Sequence, residues 1–176
     1  MSTVEAGVRA SKGGVERAGA QTSQFLTFML AGEEYGVDIL RVQEIKGWDK
    51  VTRIPNTPHY VLGVINLRGA VVPIIDLRRR FGLEMIDFGP TTVIIVVRVG
   101  DASEQRTVGM VVDAVSEVYD VDMDNTRPPP EICGSVDTVF VKALVTVAEK
   151  MLILLDMDRL IGNCVLEQSA AGVAAA

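Results

Sequence analysis

Short runs of apolar and β-branched residues, separated by polar residues that favour turns, account for most of this chain. The runs are short and rich in Val and Ile, which predicts strands rather than helices. The predicted strands are Gln24–Leu30, Tyr35–Ile39, Val61–Ile65, Ala70–Leu77, Thr92–Val99, Thr107–Val112, Val115–Val121, Val139–Val147 and Met151–Leu155. Between the third and the fourth, Asn66 and Gly69 favour a tight reversal, so these two strands are expected to form a hairpin. Evenly spaced short strands are typical of barrels or sandwiches.

Two short segments depart from the strand pattern and predict helical turns. Apolar residues recur at every third position over Ile39–Ile45, and Gly47 follows, which predicts a short helix here. Asp76 is placed to cap a second helix over Leu77–Phe81, which Gly82 ends. Both helices would be short, so the predicted fold class remains mainly β.

One sequence pattern occurs twice in the chain. Ile74–Gly82 and Leu154–Gly162 both read apolar, apolar, Asp, apolar, any residue, Arg, any residue, apolar, Gly, at an offset of 80 residues. In each copy a strand runs directly into a helical turn that begins after an aspartate and ends at a glycine. We therefore predict two halves of related architecture, each closing its sheet so that no strand edge is left open.

Composition and charge exclude several classes of function. The chain has 176 residues, 48% of them hydrophobic, so its core needs no metal or disulfide for stability. The formal net charge of -6 argues against binding to nucleic acids or anionic membranes. No apolar run approaches about 18 residues and no secretory signal is recognisable, so we expect a cytoplasmic protein with reduced thiols. Residues 1–23 and 167–176 lack an apolar period and are predicted to be a flexible arm and tail flanking the segment 24–166.

The residue types that hold metals do not form a recognisable motif. Cys133 and Cys164 lack the paired spacing of a structural zinc site. The segment from Asp120 to Glu131 resembles part of a calcium loop, but Asn125 stands where that loop requires glycine. Glycine-rich phosphate-binding motifs are also lacking in the sequence. We therefore predict no metal and no cofactor.

The sequence also contains no recognisable catalytic motif. His59 is the only histidine of the chain, and it follows a proline in a segment expected to be an irregular surface loop. No nucleophile elbow is present, and neither cysteine has a histidine at a useful local spacing. The alternative that remains is a small enzyme using Asp113, Asp156 or His59, which a pocket of converging acids with shifted pKa values would favour.

A protein-binding module is the class of function left by these exclusions. Three residues are candidates for contact with a partner protein: Glu44 on the predicted short helix, Trp48 near it and Arg68 at a hairpin tip. Arg and Trp often anchor protein interfaces. The alternative is that Trp48 fills the end of a barrel and that Arg68 is only solvated.

Several segments closely resemble the CheW family of bacterial chemotaxis coupling proteins. They are Ile39–Ile45, Ile54–Pro58, Gly63–Arg78, Val108–Asp113, Val115–Val118 and Met151–Asp156. The turn Asn-Leu-Arg-Gly followed by Pro-Ile-Ile-Asp-Leu is the most specific part of the match. The resemblance spans Gln24 to about Gly162. It implies two five-stranded SH3-like β-barrel subdomains packed side by side, with short helices.

The resemblance also implies a function without catalysis. Members of the family join the cytoplasmic tip of a chemoreceptor to the regulatory domain of the histidine kinase CheA. The expected partners are therefore that kinase and that receptor, with assembly into rings or arrays and no direct insertion into the membrane. The alternative is a similar module from a larger protein, such as the regulatory domain of CheA or the coupling half of a fusion with a receiver domain.

In the family the receptor lies along the groove between the two barrels. The matching positions here are Val42, Glu44, Gly63 and Arg68 from the first half, with Val93 and Val118 from the second. By the resemblance we expect an ion pair between Glu44 and Arg68 at the edge of the groove. Ala143 stands where many relatives have glycine, which matters if that position requires a positive φ or a close backbone approach.

Overall fold

The computed structural model describes residues 22–130 and 138–161, and in them ten strands dominate. The strands are β1 (Thr22–Leu30), β2 (Glu33–Asp38), β3 (Val42–Gly47), β4 (Val61–Leu67), β5 (Ala70–Asp76), β6 (Val93–Val99), β7 (Arg106–Val112), β8 (Ala114–Asp122), β9 (Val141–Val147) and β10 (Lys150–Leu155). The helical segments are α1 (Leu77–Arg80), the 3-10 turns Ile39–Arg41, Met123–Asn125 and Thr138–Phe140, and residues 157–161. The mainly β class predicted from the sequence is confirmed.

The strands form two sheets of five, and the two sheets have the same topology. The terminal sheet has the order β8-β1-β2-β10-β9, and the central sheet has the order β3-β6-β7-β5-β4. In each sheet the third and fourth strands pair in parallel and the other neighbours pair antiparallel. The predicted pair of five-stranded subdomains is confirmed. The halves are interleaved, however, because the first hairpin of the chain joins its last three strands.

In each sheet, the segment that follows one edge strand forms a β-bridge with the other edge strand. After β3, Thr52 forms a bridge with Val64 of β4, with hydrogen bonds of 2.9 and 2.8 Å. After β8, Arg127 forms the same bridge with Leu144 of β9, with hydrogen bonds of 2.8 and 2.7 Å. These bridges occupy backbone groups that an edge strand would otherwise leave unpaired.

The sequence repeat at an offset of 80 residues corresponds to a structural repeat. The N–H of Asp76 donates to the carbonyl of Tyr60 at 2.7 Å, and the N–H of Asp156 donates to the carbonyl of Phe140 at 2.9 Å. Each aspartate then precedes a helical turn and pairs with the arginine three residues later, at 3.7 and 3.6 Å. The predicted relation between the two halves is therefore confirmed in detail.

The helix predicted over Ile39–Ile45 is wrong. Only Ile39–Arg41 forms a 3-10 turn, and β3 begins at Val42. A bulge explains the three-residue apolar spacing, because the register of β3 against β6 shifts between Val42 and Glu44 and so brings Val42 and Ile45 to the same face. Strand pairing therefore decides the conformation of a segment whose local pattern also fits a helix.

The second predicted helix is confirmed and slightly shorter. α1 begins after Asp76, whose side chain accepts a hydrogen bond from the N–H of Arg78 at 3.0 Å. The carboxyl is 1% exposed, and its burial raises the pKa of Asp76 despite that hydrogen bond and the positive charges of Arg79 and Arg78. This cap is the local reason why β5 ends and the chain turns.

Three hydrophobic clusters make up the core. One, the inner terminal cluster, contains Phe25, Val121 and Leu154 of the terminal sheet, and a second, the inner central cluster, contains Ile74 and Ile94 of the central sheet. The third and largest takes residues from both sheets and is called here the inter-sheet core; it includes Leu26, Phe28, Tyr35, Ile95, Val97 and Met110. The two subdomains are therefore held together by a continuous apolar interior.

An ion pair crosses the junction between the two sheets. Arg78 of α1 donates to Asp113 at 2.8 and 2.6 Å, and the N–H of Ala31, in the β1–β2 turn, donates to the same carboxylate at 2.9 Å. Burial alone would raise the pKa of Asp113, but the hydrogen bonds from Arg78 and Ala31 and the charge of Arg78 outweigh it and lower that pKa.

This lowered pKa predicts a pH-dependent contribution to stability. A carboxyl whose pKa is lower in the folded state stabilises that state above its unfolded pKa, and the effect is lost as the pH falls through the folded pKa. We expect the difference in unfolding free energy between the unmodified protein and Asp113→Asn to shrink as the pH falls below about 4, the ordinary pKa of an aspartate, towards the lower folded pKa. Urea unfolding at a series of pH values measures it, and a constant difference would contradict the assignment.

Several sequence predictions lie outside the described residues. They include Cys133, Cys164, Glu131 and almost all of the predicted arm and tail, although β1 begins at Thr22, two residues inside the predicted arm. Within residues 22–130 and 138–161, no three His, Cys, Asp or Glu side chains are grouped so as to hold a metal ion. No helix in these ranges is long and apolar enough to span a membrane.

Candidate functional site

Five of the six candidate residues lie in the central sheet. Val42 and Glu44 are on β3, Gly63 is on β4, Arg68 is in the β4–β5 turn and Val93 begins β6, whereas Val118 is on β8 of the terminal sheet. The assignment of Val93 to the second half is wrong, because β6 and β7 pair with β3 and β5. The sheet to which a candidate belongs therefore does not follow from its position along the chain.

The ion pair expected between Glu44 and Arg68 is present. An Nη atom of Arg68 lies 3.1 Å from Oε2 of Glu44. The two residues belong to opposite edges of the central sheet, so the pair spans the gap between β3 and the β4–β5 hairpin. The side chain of Arg68 is 80% exposed, and such a pair contributes only about 0 to 1 kcal/mol to stability. The pair therefore leaves the guanidinium facing solvent at the end of the hairpin.

The turn that carries Arg68 follows from its local sequence. Arg68 and Gly69 have φ values of 53° and 87°, the conformation of the two central residues in a tight hairpin. Asn66 stabilises the reversal, because its Oδ1 accepts a hydrogen bond from the N–H of Gly69 at 2.8 Å. The predicted hairpin and the predicted role of Asn66 are both confirmed, and they explain why Arg68 sits at a tip.

The apolar candidates lie at the margin of the inter-sheet core. Val42 and Val93 are half-buried and pack against it. Val118 pairs with Leu26, a member of that core, and is itself 46% exposed. Ile45 of β3 is also at the margin of this core, since it pairs with buried Ile95 and is itself 44% exposed. In the sequence, Ile45 contributes only to a helix-like spacing, and its face on the strand follows from the bulge in β3.

Gly63 has a structural role and presents no side chain to a partner. Its φ is 147°, and a Cβ there would lie 2.1 Å from the carbonyl oxygen of Thr52. The residue is needed for the close approach that allows the Thr52–Val64 bridge.

Ala143 occupies the equivalent place in the terminal sheet, 80 residues later, beside the bridge between Arg127 and Leu144. It is absent from the residues with positive φ, and it is buried in the inner terminal cluster. The position of Ala143 therefore does not require a glycine for a positive φ.

The residues of the enzyme alternative have separate partners. Asp113 is paired with Arg78, Asp156 accepts from the N–H of Arg159, and His59 is exposed with its ring against Tyr60. No hydrogen bond or ion pair joins any two of the three among the described residues. The converging acids that an active site would need are not formed by this set.

Comparisons with known proteins agree with this architecture. The model of the CheW-like domain family matches residues 24–164. The chemotaxis protein CheW of Klebsiella aerogenes is 47% identical over 80% of this chain and 82% of its own length, and that of Bacillus subtilis is 32% identical over 84% and 89%. The crystal structure of the scaffolding protein TtCheW from Thermoanaerobacter tengcongensis has a TM-score of 0.72 and 34% identity, covering 82% of this chain and 91% of that one.

Proposed function

The chain belongs to the CheW-like family, and on that premise we propose that it couples chemoreceptors to the histidine kinase CheA. As a member of this family it is a scaffolding protein of chemotaxis and not an enzyme. The proposal adds the identity of the two partners, a receptor cytoplasmic tip and the regulatory domain of the kinase. It also adds a cytoplasmic location in receptor arrays, reached through these partners, with ring or array assembly of the complex.

Two observations support the proposal: the exposed arginine paired with Glu44, and three valines at the margin of the inter-sheet core. Arg68 stands at the tip of its turn and pairs with Glu44 at 3.1 Å, and its side chain is 80% exposed. Val42, Val93 and Val118 lie at the edge of the inter-sheet core. An apolar centre with a charged rim is the usual composition of a specific protein interface, in which the charge contributes mainly to specificity. We propose this surface for the receptor, with Gly63 acting through the backbone it positions.

A non-enzymatic scaffold can control the kinase only through a difference in its binding affinity for two states of the complex. A scaffold alters the output of a kinase only if it binds the active and the inactive receptor–kinase arrangements unequally. The rigid contact between the sheets suits this role, because the inter-sheet core makes the two subdomains one body on which both partners would be held. The kinase is then controlled through its position and not through any covalent step on this chain.

We predict that Arg68→Ala weakens receptor binding by about fivefold, since arginine is enriched among the interface residues whose truncation costs more than about 1 kcal/mol. Val118→Met should weaken it as well, because a longer side chain would protrude from an exposed position of β8. The measurement is co-sedimentation of the full chain with a receptor cytoplasmic fragment and the kinase, scored by receptor-stimulated autophosphorylation.

The matched control is Arg106→Ala, which removes an exposed arginine paired with Glu104 at 2.7 Å elsewhere on the central sheet. It should leave coupling and melting temperature unchanged. Normal coupling by Arg68→Ala with an intact fold would remove Arg68 from the receptor surface. If the unmodified chain fails to sediment with receptor and kinase, the proposed function itself is wrong.

A further inference from the structure

A cavity lies on the central sheet apart from the six candidate residues. Its volume is about 350 Å³, and it opens between the end of β3, the segment 51–59, the start of β4 and Phe88. None of the six candidates lines it. This volume is in the range of known ligand pockets, about 300 to 1,000 Å³.

One wall of the cavity is aromatic and aliphatic. The rings of Trp48 and Phe88 are 4.3 Å apart at 53°, and both residues pack against the inner central cluster. Ile54 stands at the mouth and is 42% exposed. A tilted pair of rings with an aliphatic rim provides a surface on which another aromatic or large apolar side chain can pack.

The other wall is basic. Arg53 is exposed and makes no hydrogen bond or ion pair with any described residue. Arg79 donates to the carbonyl of His59 at 3.0 Å, and its Nε lies 3.7 Å from the carboxylate of Asp76, which neutralises part of its charge. Among residues 22–130 and 138–161, no aspartate or glutamate lines the cavity, although the whole chain carries a net charge of -6. Within the described part of the chain, Arg53 is therefore a cation without a partner next to an apolar wall.

We propose that this cavity binds a peptide segment of a partner protein in which acidic residues flank a phenylalanine or another large apolar residue. The apolar side chain packs against Trp48 and Phe88, and a neighbouring carboxylate pairs with Arg53. A peptide fits better than a free small acid because the mouth is open at exposed Arg53, Ile54 and His59, whereas small ligands are usually buried over about 70 to 90% of their surface.

The test uses Trp48, the only tryptophan of the chain, as an intrinsic fluorescent reporter. The full chain is titrated with the capped peptide Ala-Glu-Phe-Glu-Ala, which contains no tryptophan. We expect a saturable change in Trp48 emission. The peptides Ala-Gln-Phe-Gln-Ala and Ala-Glu-Ala-Glu-Ala should each bind about tenfold more weakly, because one lacks the charge and the other the apolar group.

Arg53→Gln should weaken binding of the acidic peptide by about tenfold, while Arg106→Gln, which removes the same charge from another part of the sheet, should change it less than about twofold. Circular dichroism of both variants checks their fold. Three results would overturn the proposal: no saturable signal, equal binding of the glutamine peptide, or equal weakening by both variants. Binding of free 3-phenylpropionate as tight as that of the peptide would also overturn it, in favour of a small acid. None of these outcomes depends on receptor or kinase coupling.

Discussion

Asp113→Ala is expected to lower the free energy of unfolding by about 3 kcal/mol, because it removes one partner of an ion pair whose side chains are only 10% and 23% exposed. The side chain of Arg78 is only 10% exposed, and without Asp113 its guanidinium would lose the carboxylate with which it pairs and keep its hydrogen bond to the carbonyl of Glu84. The N–H of Ala31 would lose its acceptor at the same time. Since these groups join α1 of the central sheet to the first hairpin of the terminal sheet, the loss should appear as lower stability of the whole unit. Urea unfolding at neutral pH measures it.

A closely matched pair in the same molecule serves as the control. Asp158 accepts two hydrogen bonds from Arg41, at 3.0 and 2.6 Å, and one from the N–H of Gly100 at 2.9 Å. The bonding resembles that of Asp113, but the side chains of Arg41 and Asp158 are 33% and 47% exposed. Water can replace the lost partner there, so Asp158→Ala should cost about 1 kcal/mol or less.

The comparison separates burial from bonding geometry. If the two variants lose equal stability, the hydrogen-bond pattern determines the cost and burial does not. If Asp113→Ala loses less than about 1 kcal/mol, the junction between the sheets does not depend on this pair, and the inter-sheet core alone holds the subdomains together.

The strands were predictable because their patterns are local. Each run of Val and Ile carries its own signal, and the Asn66 to Gly69 turn and the Asp76 cap are specified by neighbours within a few residues. The repeat at an offset of 80 residues also predicted related halves, which the twin strand orders confirm.

The features missed by the sequence analysis all depend on pairing between distant segments. The bulge in β3 made a strand resemble a helix, and only its alignment with β6 distinguishes the two. The exchange of hairpins between the halves also depends on strand pairing, because β6 and β7 pair with β3 and β5. Val93, which begins β6, was therefore assigned to the wrong half.

The candidate site was predictable only in part. The pair of Glu44 and Arg68 joins residues 24 positions apart on opposite sheet edges, and its expectation came from the family resemblance and not from spacing. The cavity beside Trp48 was not anticipated, because it depends on the 51–59 segment and Phe88 meeting at the sheet. The alternative in which Trp48 packs at the end of a barrel agrees with its position against the inner central cluster.

Gly63→Ala is expected to destabilise the protein by about 3 kcal/mol or more, the second large effect. The new Cβ would lie 2.1 Å from the carbonyl oxygen and 2.7 Å from the carbonyl carbon of Thr52. These are backbone atoms, so no side-chain rotation relieves the contact, and a φ of 147° is itself unfavourable for alanine. The segment around Thr52 would have to move away from Val64. Thermal and urea unfolding of the variant measure the loss.

The opposite substitution, Ala143→Gly at the equivalent position of the terminal sheet, should reduce stability only slightly. Ala143 stands in the equivalent place without a positive φ and with its methyl group in the inner terminal cluster. Ala143→Gly therefore removes a small buried group and adds backbone freedom, at a cost of about 1 kcal/mol. If both variants lost similar stability, the close approach at Thr52 would not explain the glycine. If Gly63→Ala kept its stability but lost receptor coupling, Gly63 would be a direct contact and its structural assignment would be wrong.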